Sequence, residues 1–438
     1  MSIHQAEDLG VLRFITAGSV DDGKSTLIGR LLYDSKAVLS DQLSALSRVK
    51  NKRTAGDEID LSLLTDGLEA EREQGITIDV AYRYFATARR KFIIADTPGH
   101  EQYTRNMVTG ASTAHAAIVL IDATRITFDA QGAAQLLPQT KRHSALVKLL
   151  GLQHVIVAVN KMDLVDYSEA RFNEIRAAYV TLANQLGLAD VRFVPVSALK
   201  GDNIVKGSER MPWYGDAPLL DVLEALPVEL PTGQALRFPV QWVARQDGSQ
   251  ADDFRGYMGR IEAGEVKRGD AVVVLPANRP ATIAEIIAPV PGGTAQVEYA
   301  SAGQTVTLRL AEDVDVSRGD TFVLATDAPE PAKKLEADLC WFDEAPLSTQ
   351  RKYLLKQTTS TVFARIGAIR EVLDVHTLLQ ATDRTELAMN DIGRVALTLQ
   401  KPLVCDLYDS HPGTGAFVLI DEATHHTVAA GMIRAFSA

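Results

Sequence analysis

Residues 18–25 read Gly18-Ser19-Val20-Asp21-Asp22-Gly23-Lys24-Ser25, and this stretch fits the pattern G-x-x-x-x-G-K-[ST] of phosphate-binding loops. Its two glycines permit a tight backbone path on which several N–H groups point at anionic oxygens. Lys24 brings a charge to the β- and γ-phosphates, and Ser25 offers a hydroxyl group to Mg²⁺. The apolar run 11–17 predicts a buried strand before the loop, and residues 25–33 predict a helix that begins at the phosphates. These flanking segments favour a nucleotide site over a chance match to the pattern.

A second apolar run, residues 91–95, predicts another strand, and Asp96-Thr97-Pro98-Gly99-His100 follows it. By itself this sequence is typical of a surface turn. Next to a phosphate-binding loop, however, the carboxylate of Asp96 is placed to hold Mg²⁺ through water. Gly99 would let a backbone N–H group approach the γ-phosphate closely. We therefore predict that residues 96–99 belong to the nucleotide site.

The motif that predicts the base follows a third apolar run, residues 155–159, and reads Asn160-Lys161-Met162-Asp163. The carboxylate of Asp163 can accept hydrogen bonds from N1–H and the 2-amino group of guanine, whereas adenine offers neither donor there. An unpaired buried acceptor costs about 1–3 kcal/mol, so the motif predicts GTP over ATP. Ser197-Ala198-Leu199 follows a fourth predicted strand, where a backbone N–H group can meet guanine O6; an ordinary strand exit is the alternative for this tripeptide.

The four segments together predict a site for GTP as bound substrate, with Mg²⁺ as cofactor and with Ser25 and Asp96 among the metal ligands. The predicted nucleotide-binding residues are Gly18, Ser19, Val20, Asp21, Asp22, Gly23, Lys24, Ser25, Thr26, Asp96, Thr97, Pro98, Gly99, Asn160, Lys161, Met162, Asp163, Ser197, Ala198 and Leu199.

The composition narrows the class of protein. The chain has 438 residues, of which 46% are hydrophobic and 23% charged, which is typical of a water-soluble protein of about three domains. Its net charge of −11 does not resemble that of a dedicated nucleic-acid-binding protein, so we expect no nucleic-acid partner. No apolar run reaches the roughly 20 residues that span a membrane, and the acidic start lacks a signal-peptide core. Cys340 and Cys405, in separate strand-like contexts, indicate a reducing compartment, so we expect a cytoplasmic protein without a membrane partner.

Changes of pattern along the chain predict its domains. Strands alternate with helices up to the proline-containing stretch 226–233, which predicts a parallel sheet. From Gly256 onward, short strands separated by turns predict a closed barrel, and a second proline-rich stretch, 327–334, precedes another all-β region. We therefore predict an α/β P-loop GTPase domain at 1–229, followed by antiparallel β-barrel domains at 230–330 and 331–438.

The combination of these motifs resembles one family of GTPases. A GTPase domain followed by two barrels is similar to the architecture of translation elongation factors, but Ser19 and Asp22 stand where those factors usually carry histidine and alanine or histidine. The chain instead resembles the large subunit of sulfate adenylyltransferase over essentially its whole length. The segments that carry this resemblance are the phosphate-binding loop and residues 66–84, 96–107, 213–215, 413–421 and 430–433.

The resemblance implies a function and a partner. In that family a small catalytic subunit transfers AMP from ATP to sulfate, which gives adenosine 5′-phosphosulfate and pyrophosphate in the first step of sulfate assimilation. GTP hydrolysis on the large subunit drives this uphill reaction within a heterodimer. Similarity to translation-type GTPases further implies that Thr77 ligates Mg²⁺ only when the γ-phosphate is present, and that His100 is the catalytic residue that positions the attacking water. A solvent-exposed turn histidine is the alternative for His100.

Two other functions stay open at this point. One is a translation-type GTPase that delivers aminoacyl-tRNA, and the other is a GTPase of an unrelated complex, because the barrels show no evident chemistry of their own.

Residues 124–139 form a longer segment than the family usually has, and we predict a surface-loop insertion available to a partner. His115 stands where an acidic residue is common. No adenylylsulfate kinase domain precedes Ala438, so we expect any such kinase to be a separate protein.

Overall fold

A computed structural model describes residues 10–37, 61–64, 77, 79–100, 103–130, 132–228, 235–245, 254–374, 380–382, 384 and 386–437. Its described residues up to Val228 form one compact unit, and those of 235–373 and 380–437 form a second. Residues 66–76, from one of the segments that carry the family resemblance, lie outside the described residues, as does the acidic start of the chain.

A six-stranded sheet forms the centre of the first unit. The strands of this unit are β1 (Val11–Ala17), β2 (Ala81–Ala86), β3 (Lys91–Asp96), β4 (Ala116–Asp122), β5 (Thr127–Phe128), β6 (Ala134–Gln135), β7 (His154–Asn160) and β8 (Val191–Pro195). The order in the large sheet is β2-β3-β1-β4-β7-β8, and every pairing except β2–β3 is parallel. Both β4 and β7 are buried along their whole length, as expected of parallel strands that are covered on both faces.

Helices pack on this sheet through apolar faces. They are α1 (Lys24–Asp34), α2 (Thr104–Ala111), α3 (Pro138–Leu149), α4 (Glu169–Leu186) and α5 (Leu219–Ala225), with 3₁₀ turns at Leu61–Leu64 and Met162–Val165. Helix α1 buries Leu27, Ile28 and Leu31 in the same core cluster as the sheet residues Phe14 and Ile118. The apolar period of residues 25–33 therefore forms the predicted helix, and packing against the sheet stabilises it.

The parallel arrangement places the predicted motifs together. The phosphate-binding loop follows β1, Asp96 ends β3, Asn160 ends β7 and Ser197 follows β8. Because these four strands are parallel, their carboxyl ends lie along one edge of the sheet, which is where ligands bind in open α/β sheets.

The second unit begins with a closed antiparallel barrel. Its strands are β9 (Phe238–Arg245), β10 (Arg255–Arg260), β11 (Glu265–Lys267), β12 (Ala271–Leu275), β13 (Arg279–Val290), β14 (Gly293–Val297), β15 (Tyr299–Ser301), β16 (Thr305–Leu310) and β17 (Thr321–Leu324). A ring of six strands closes because β12 pairs with β13 as well as with β17, in the order β12-β17-β9-β10-β16-β13. Phe322 packs against Phe238 and Tyr257 in its core, with ring centroids 5.7 and 5.4 Å apart.

A second ring of six strands follows. Its elements are β18 (Ala332–Trp341), β19 (Lys352–Gln357), β20 (Ser360–Leu373), β21 (Gln380–Ala381), β22 (Ile392–Leu403), α6 (Pro412–Gly415), β23 (Ala416–Asp421) and β24 (Thr427–Phe436). The order is β19-β23-β24-β18-β22-β20, closed by pairing of β19 with β20. The fold class predicted from the sequence, a GTPase domain followed by two antiparallel barrels, is confirmed.

The two barrels of the second unit share a buried contact. Arg237 donates from Nε and Nη2 to the two carboxylate oxygens of Asp406, at 2.8 and 2.9 Å, and Thr414 donates to the same carboxylate at 2.6 Å. Burial opposes ionisation of Asp406, but these donors hold its pKa below the ordinary value. Beside this pair, Leu275 and Val404 belong to one small apolar cluster. A buried ion pair and an apolar cluster therefore join the two barrels.

Several local expectations differ from the structure. Strand β9 begins at Phe238, well before Gly256, from which the sequence predicts short strands. Strand β18 begins at Ala332, inside the predicted linker 327–334, because Ala332 pairs with Leu403 of β22. Cys405 lies just beyond β22 rather than in a strand; both cysteines are buried, and no disulfide bond joins them. Among the described residues, no helix is long and apolar enough to cross a membrane.

The segment 124–139, predicted as a surface loop, contains a short hairpin. Strands β5 and β6 pair, and Phe128 on β5 is exposed, with the guanidinium group of Arg171 5.2 Å from its ring centroid.

His115, which precedes β4, accepts a hydrogen bond from the backbone of Arg13 at 3.2 Å, and burial lowers its pKa to about 4. His115 is therefore a neutral structural residue.

Candidate nucleotide-binding site

The phosphate-binding loop runs from the end of β1 to the first turn of α1. Asp21 and Gly23 have φ values of 68° and 93°, so the backbone is left-handed at both residues and can direct successive N–H groups to one point. Gly23 is also required by crowding, because a Cβ atom there would lie 2.4 Å from Nδ2 of Asn160. Helix α1 begins at Lys24, which adds its unpaired N–H groups and the positive end of its dipole.

Lys24 is buried inside this loop, with 7% of its surface exposed. Its Nζ donates to the carbonyl oxygens of Gly18 at 3.0 Å and Ser19 at 2.7 Å. Burial lowers the pKa of this amine from its ordinary value, while the carboxylates of Asp22 and Asp96 oppose the change. A phosphate group in the loop would add a further negative charge that favours the protonated amine.

The segment after β3 lies against the phosphate-binding loop. Thr16 donates to Oδ1 of Asp96 at 3.0 Å, and Thr97 donates to the carbonyl of Thr16 at 2.5 Å, so β1 and β3 are joined at their ends. At Gly99 a Cβ atom would lie 2.3 Å from Nζ of Lys24. Only glycine lets this backbone come so close to the lysine.

Asn160 connects the base-reading motif to the phosphate-binding loop. Its Nδ2 donates to the carbonyl of Asp22 at 2.8 Å, and its Oδ1 accepts from the N–H group of Ala198 at 2.9 Å. Ser197 donates to Oδ1 of Asp163 at 2.7 Å, which orients the carboxylate that would read guanine. The three motifs are therefore held in one hydrogen-bonded arrangement.

A cavity of about 480 Å³ lies between these segments. Four predicted segments line it, and Thr77 and His100 border it as well. The residues at its surface are Val20, Asp21, Gly23, Lys24, Ser25, Thr26, Ser62, Thr77, Gly99, His100, Asn160, Lys161, Asp163, Leu164, Ala198 and Leu199. The exposed ring of His100 is tilted relative to Tyr103, with centroids 6.1 Å apart. The structure thus brings the phosphate-binding, base-reading and hydrolytic candidates to one place.

Comparison with known proteins agrees with this geometry. The model of the Elongation factor Tu GTP binding domain matches residues 10–231, and that of the GTP-eEF1A C-terminal domain-like family matches residues 334–434. Sulfate adenylyltransferase subunit 1 of Chromobacterium violaceum is 50% identical over 99% of this chain and 88% of that protein. The protein of the same name from Shewanella woodyi is 47% identical over 99% of this chain and 88% of that protein. The chain belongs to the sulfate adenylyltransferase subunit 1 family.

Membership of the sulfate adenylyltransferase subunit 1 family decides between the functions left open by the sequence. It supports the sulfate-activating enzyme over a translation factor. The family name implies that a further subunit exists, and the matched GTP-binding domain supports GTP as a bound substrate.

Several residues that the sequence predicts to bind the nucleotide lie behind the cavity rather than at its surface. They are Gly18, Ser19, Asp22, Asp96, Thr97, Pro98, Met162 and Ser197. Met162 is fully buried in the core. Asp22 is 1% exposed; its Oδ2 accepts from the N–H group of Ser19 at 2.6 Å, and its Oδ1 accepts no hydrogen bond within the described residues. Burial raises the pKa of Asp22 to about 6, against the opposing charge of Lys24.

Three residues that support the site were not predicted from the sequence. Arg30 on α1 donates to the carbonyls of Ala198, at 3.1 Å, and Leu199. Arg125 donates to the carbonyl of Val20. His143 on α3 accepts from the N–H group of Gly18 at 3.0 Å; its burial and the charge of Lys24 lower its pKa to about 3, so it is neutral. No pattern marks these residues, since each acts through a contact between segments distant in sequence.

The donor set fits a magnesium ion that takes most of its ligands from phosphate and water. The hydroxyl-bearing residues Ser25 and Thr77 line the same cavity, and Asp96 ends β3 behind the cavity surface. Among the described histidine, cysteine, aspartate and glutamate side chains, no group of three could form a metal cage. Mg²⁺ with few protein ligands is the usual arrangement at nucleotide sites.

Proposed function

We propose that this chain is the GTPase subunit of sulfate adenylyltransferase. In this function, GTP hydrolysis in the cavity drives the transfer of AMP from ATP to sulfate on a small catalytic partner subunit, within a heterodimer in the cytoplasm. The observation that supports it most directly is the convergence of Lys24, Asp163 and His100 on one cavity in a chain of this family.

The residues of the chain divide the work of binding. The N–H groups of the loop and of the α1 N-terminus bind the phosphates, and Lys24 neutralises charge at the β- and γ-phosphates. Asp163, oriented by Ser197, accepts from guanine, while the N–H group of Ala198 or Leu199 meets guanine O6. Ser25, Thr77 and Asp96 would hold Mg²⁺, which when bound would neutralise negative charge on the phosphates.

Hydrolysis requires an oriented water molecule at the γ-phosphate. His100 borders the cavity beside Gly99, so its ring is the group of this chain that we assign to position that water. The γ-phosphate contacts of Thr77 and of the Gly99 N–H group exist only before hydrolysis. The two segments consequently have two states that a partner can distinguish.

Coupling to the partner follows from the low intrinsic rate expected of such a site. GTPases that lack a completing group hydrolyse at about 10⁻⁴ to 10⁻² s⁻¹. The partner would therefore complete or order the site when its own substrates are bound, so that GTP is not consumed without adenylyl transfer.

The test is GTP hydrolysis by this chain together with its small partner subunit, with and without ATP plus sulfate. We expect stimulation only when both ATP and sulfate are present, with adenosine 5′-phosphosulfate formed in step with phosphate release. Stimulation by ribosomes and aminoacyl-tRNA instead, with none by ATP plus sulfate, would overturn the proposal.

A further inference from the structure

Arg125 holds a carbonyl of the phosphate-binding loop from outside the cavity. Its Nη1 donates to the carbonyl oxygen of Val20 at 2.7 Å and lies 4.0 Å from Oδ1 of Asp22. The backbone of Arg125 is itself fixed, because its N–H group donates to the carbonyl of Asp122 at 3.1 Å. The Asp122 carboxylate accepts from the backbone and the hydroxyl of Thr124 at 2.8 and 2.6 Å. The guanidinium group therefore has a defined anchor just after β4.

The geometry of the peptide group turns this contact into an orientation of a phosphate-binding donor. The Val20 carbonyl and the Asp21 N–H group belong to one planar trans peptide, so they point in opposite directions. Both residues line the cavity, whereas Arg125 is not among its lining residues. With the carbonyl held on the outer side, the Asp21 N–H group is directed toward the cavity. Asn160 fixes the orientation of a neighbouring peptide group in the loop, since it donates to the Asp22 carbonyl.

The backbone at Asp21 needs such a contact. Its φ of 68° lies in the left-handed region, which is unfavourable for a residue with a side chain. Rotation of the Val20–Asp21 peptide would relieve this conformation and turn the N–H group away from the cavity. A charge-assisted hydrogen bond to the carbonyl opposes that rotation.

A second contact from the same part of the chain supports the loop at its start. His143, which is buried, accepts from the Gly18 N–H group, and its Nε2 lies 2.9 Å from the side-chain amide of Gln139. The segment from Arg125 to His143 includes the β5–β6 hairpin. Its first and last residues thus both contact the phosphate-binding loop.

We infer that Arg125 is a positioning residue for nucleotide binding, which directs the Asp21 N–H group toward the β- and γ-phosphates by holding the Val20 carbonyl. The inference deepens the proposed function, and it rests on that function only in taking the cavity as the guanine-nucleotide site. It requires no adenylyl transfer.

The test compares Arg125→Met, which removes the donors but keeps the length, with Arg125→Lys, which keeps one donor. The dissociation constants of GDP and of a non-hydrolysable GTP analogue are measured on the full chain, with GMP as competitor. We expect Arg125→Met to weaken GDP and the GTP analogue about tenfold, or about 1.4 kcal/mol, and GMP less than twofold. Arg125→Lys should recover most of the affinity. The control is Arg89→Met, since Arg89 is an exposed arginine paired with Glu224.

Three results would overturn the inference. The first is wild-type GDP affinity in Arg125→Met. The second is an equal loss for GMP and GDP, because a general structural defect would weaken both. The third is disappearance of the effect in an Asp22→Asn background, because the charge of Asp22 and not the Val20 carbonyl would then be the target. Each of these results concerns nucleotide binding, so none of them tests the proposed coupling to sulfate. If Arg125→Met weakens GDP binding as expected but GTP hydrolysis is not stimulated by ATP plus sulfate, the proposed function alone is contradicted.

Discussion

Asp22→Asn should make the stability of the GTPase unit less dependent on pH. Asp22 is 1% exposed, and its pKa is raised from the ordinary 3.8 to about 6, chiefly by burial. The folded state then holds the proton more tightly than the unfolded state. Below pH 3.8 Asp22 is protonated in both states and does not lower the free energy of unfolding. As the pH rises through 6, the carboxylate ionises in the folded state as well, and this stability is lost.

The size of the effect follows from the shift. About two pKa units at 1.36 kcal/mol each amount to about 3 kcal/mol of free energy of unfolding, fully lost above pH 6. At pH 4.5 about 1 kcal/mol is already lost, so the change between pH 4.5 and pH 8 is about 2 kcal/mol. The substitution also replaces an oxygen by an amide nitrogen, at a cost that does not depend on pH. Comparison at two pH values removes that cost.

Hydrogen exchange of the nucleotide-free chain, measured by mass spectrometry on peptides that cover β1, reports the opening of this sheet separately from the barrels. We compare the free energy of opening of Asp22→Asn with that of wild type at each pH. Relative to wild type, the variant should be about 2 kcal/mol more stable at pH 8 than at pH 4.5. Asp21→Asn, at the exposed neighbouring residue, is the control and should show no such difference. An Asp22→Asn difference that is equal at the two pH values would refute the reasoning.

Four further substitutions test the site and the second unit. Lys24→Ala should weaken GTP binding at least tenfold, given about 1.5–3 kcal/mol for a hydrogen bond to a charged group, and unchanged affinity in a titration would exclude the phosphate role. Asp163→Asn should lower the preference for GTP over ATP about tenfold or more, as measured by competition. His100→Ala should leave GTP affinity intact but slow single-turnover hydrolysis about 10²-fold with partner present, and a normal rate would remove it from the mechanism. Arg237→Met should lower the free energy of unfolding in urea by about 3–5 kcal/mol, because it leaves the buried Asp406 carboxylate without its arginine partner; a smaller loss would mean that water reaches the carboxylate.

The sequence was most informative where a local pattern determines a local structure. The run Val11–Ala17 is a strand with the predicted bounds, and the glycines at 23 and 99 are required by contacts under 3 Å. These features depend on residue type and spacing within a few positions. Apolar period, turn chemistry and motif order therefore sufficed to predict the fold class and the position of the cavity.

The supporting contacts could not be predicted in the same way. Arg125 meets Val20, and His143 meets Gly18, across more than 100 residues of chain. Whether an arginine or histidine lies at the surface or against a loop depends on how β4 and α3 pack, which no motif records. The inward position of Asp22, rather than one at the phosphates, likewise follows from the path of the backbone through Asp21 and Gly23.

Closure of the two barrels restricts how a partner can bind to them. Within the described residues, each strand of the two rings of six pairs with a neighbour on both sides, so little of the edge of each strand is left to accept an added strand. Whole outer edges available for that mode of binding are found at short strands such as β14 and β21. Recognition of the ring walls must therefore rely on side chains, so its specificity can change by single substitutions that leave the backbone of the barrel intact.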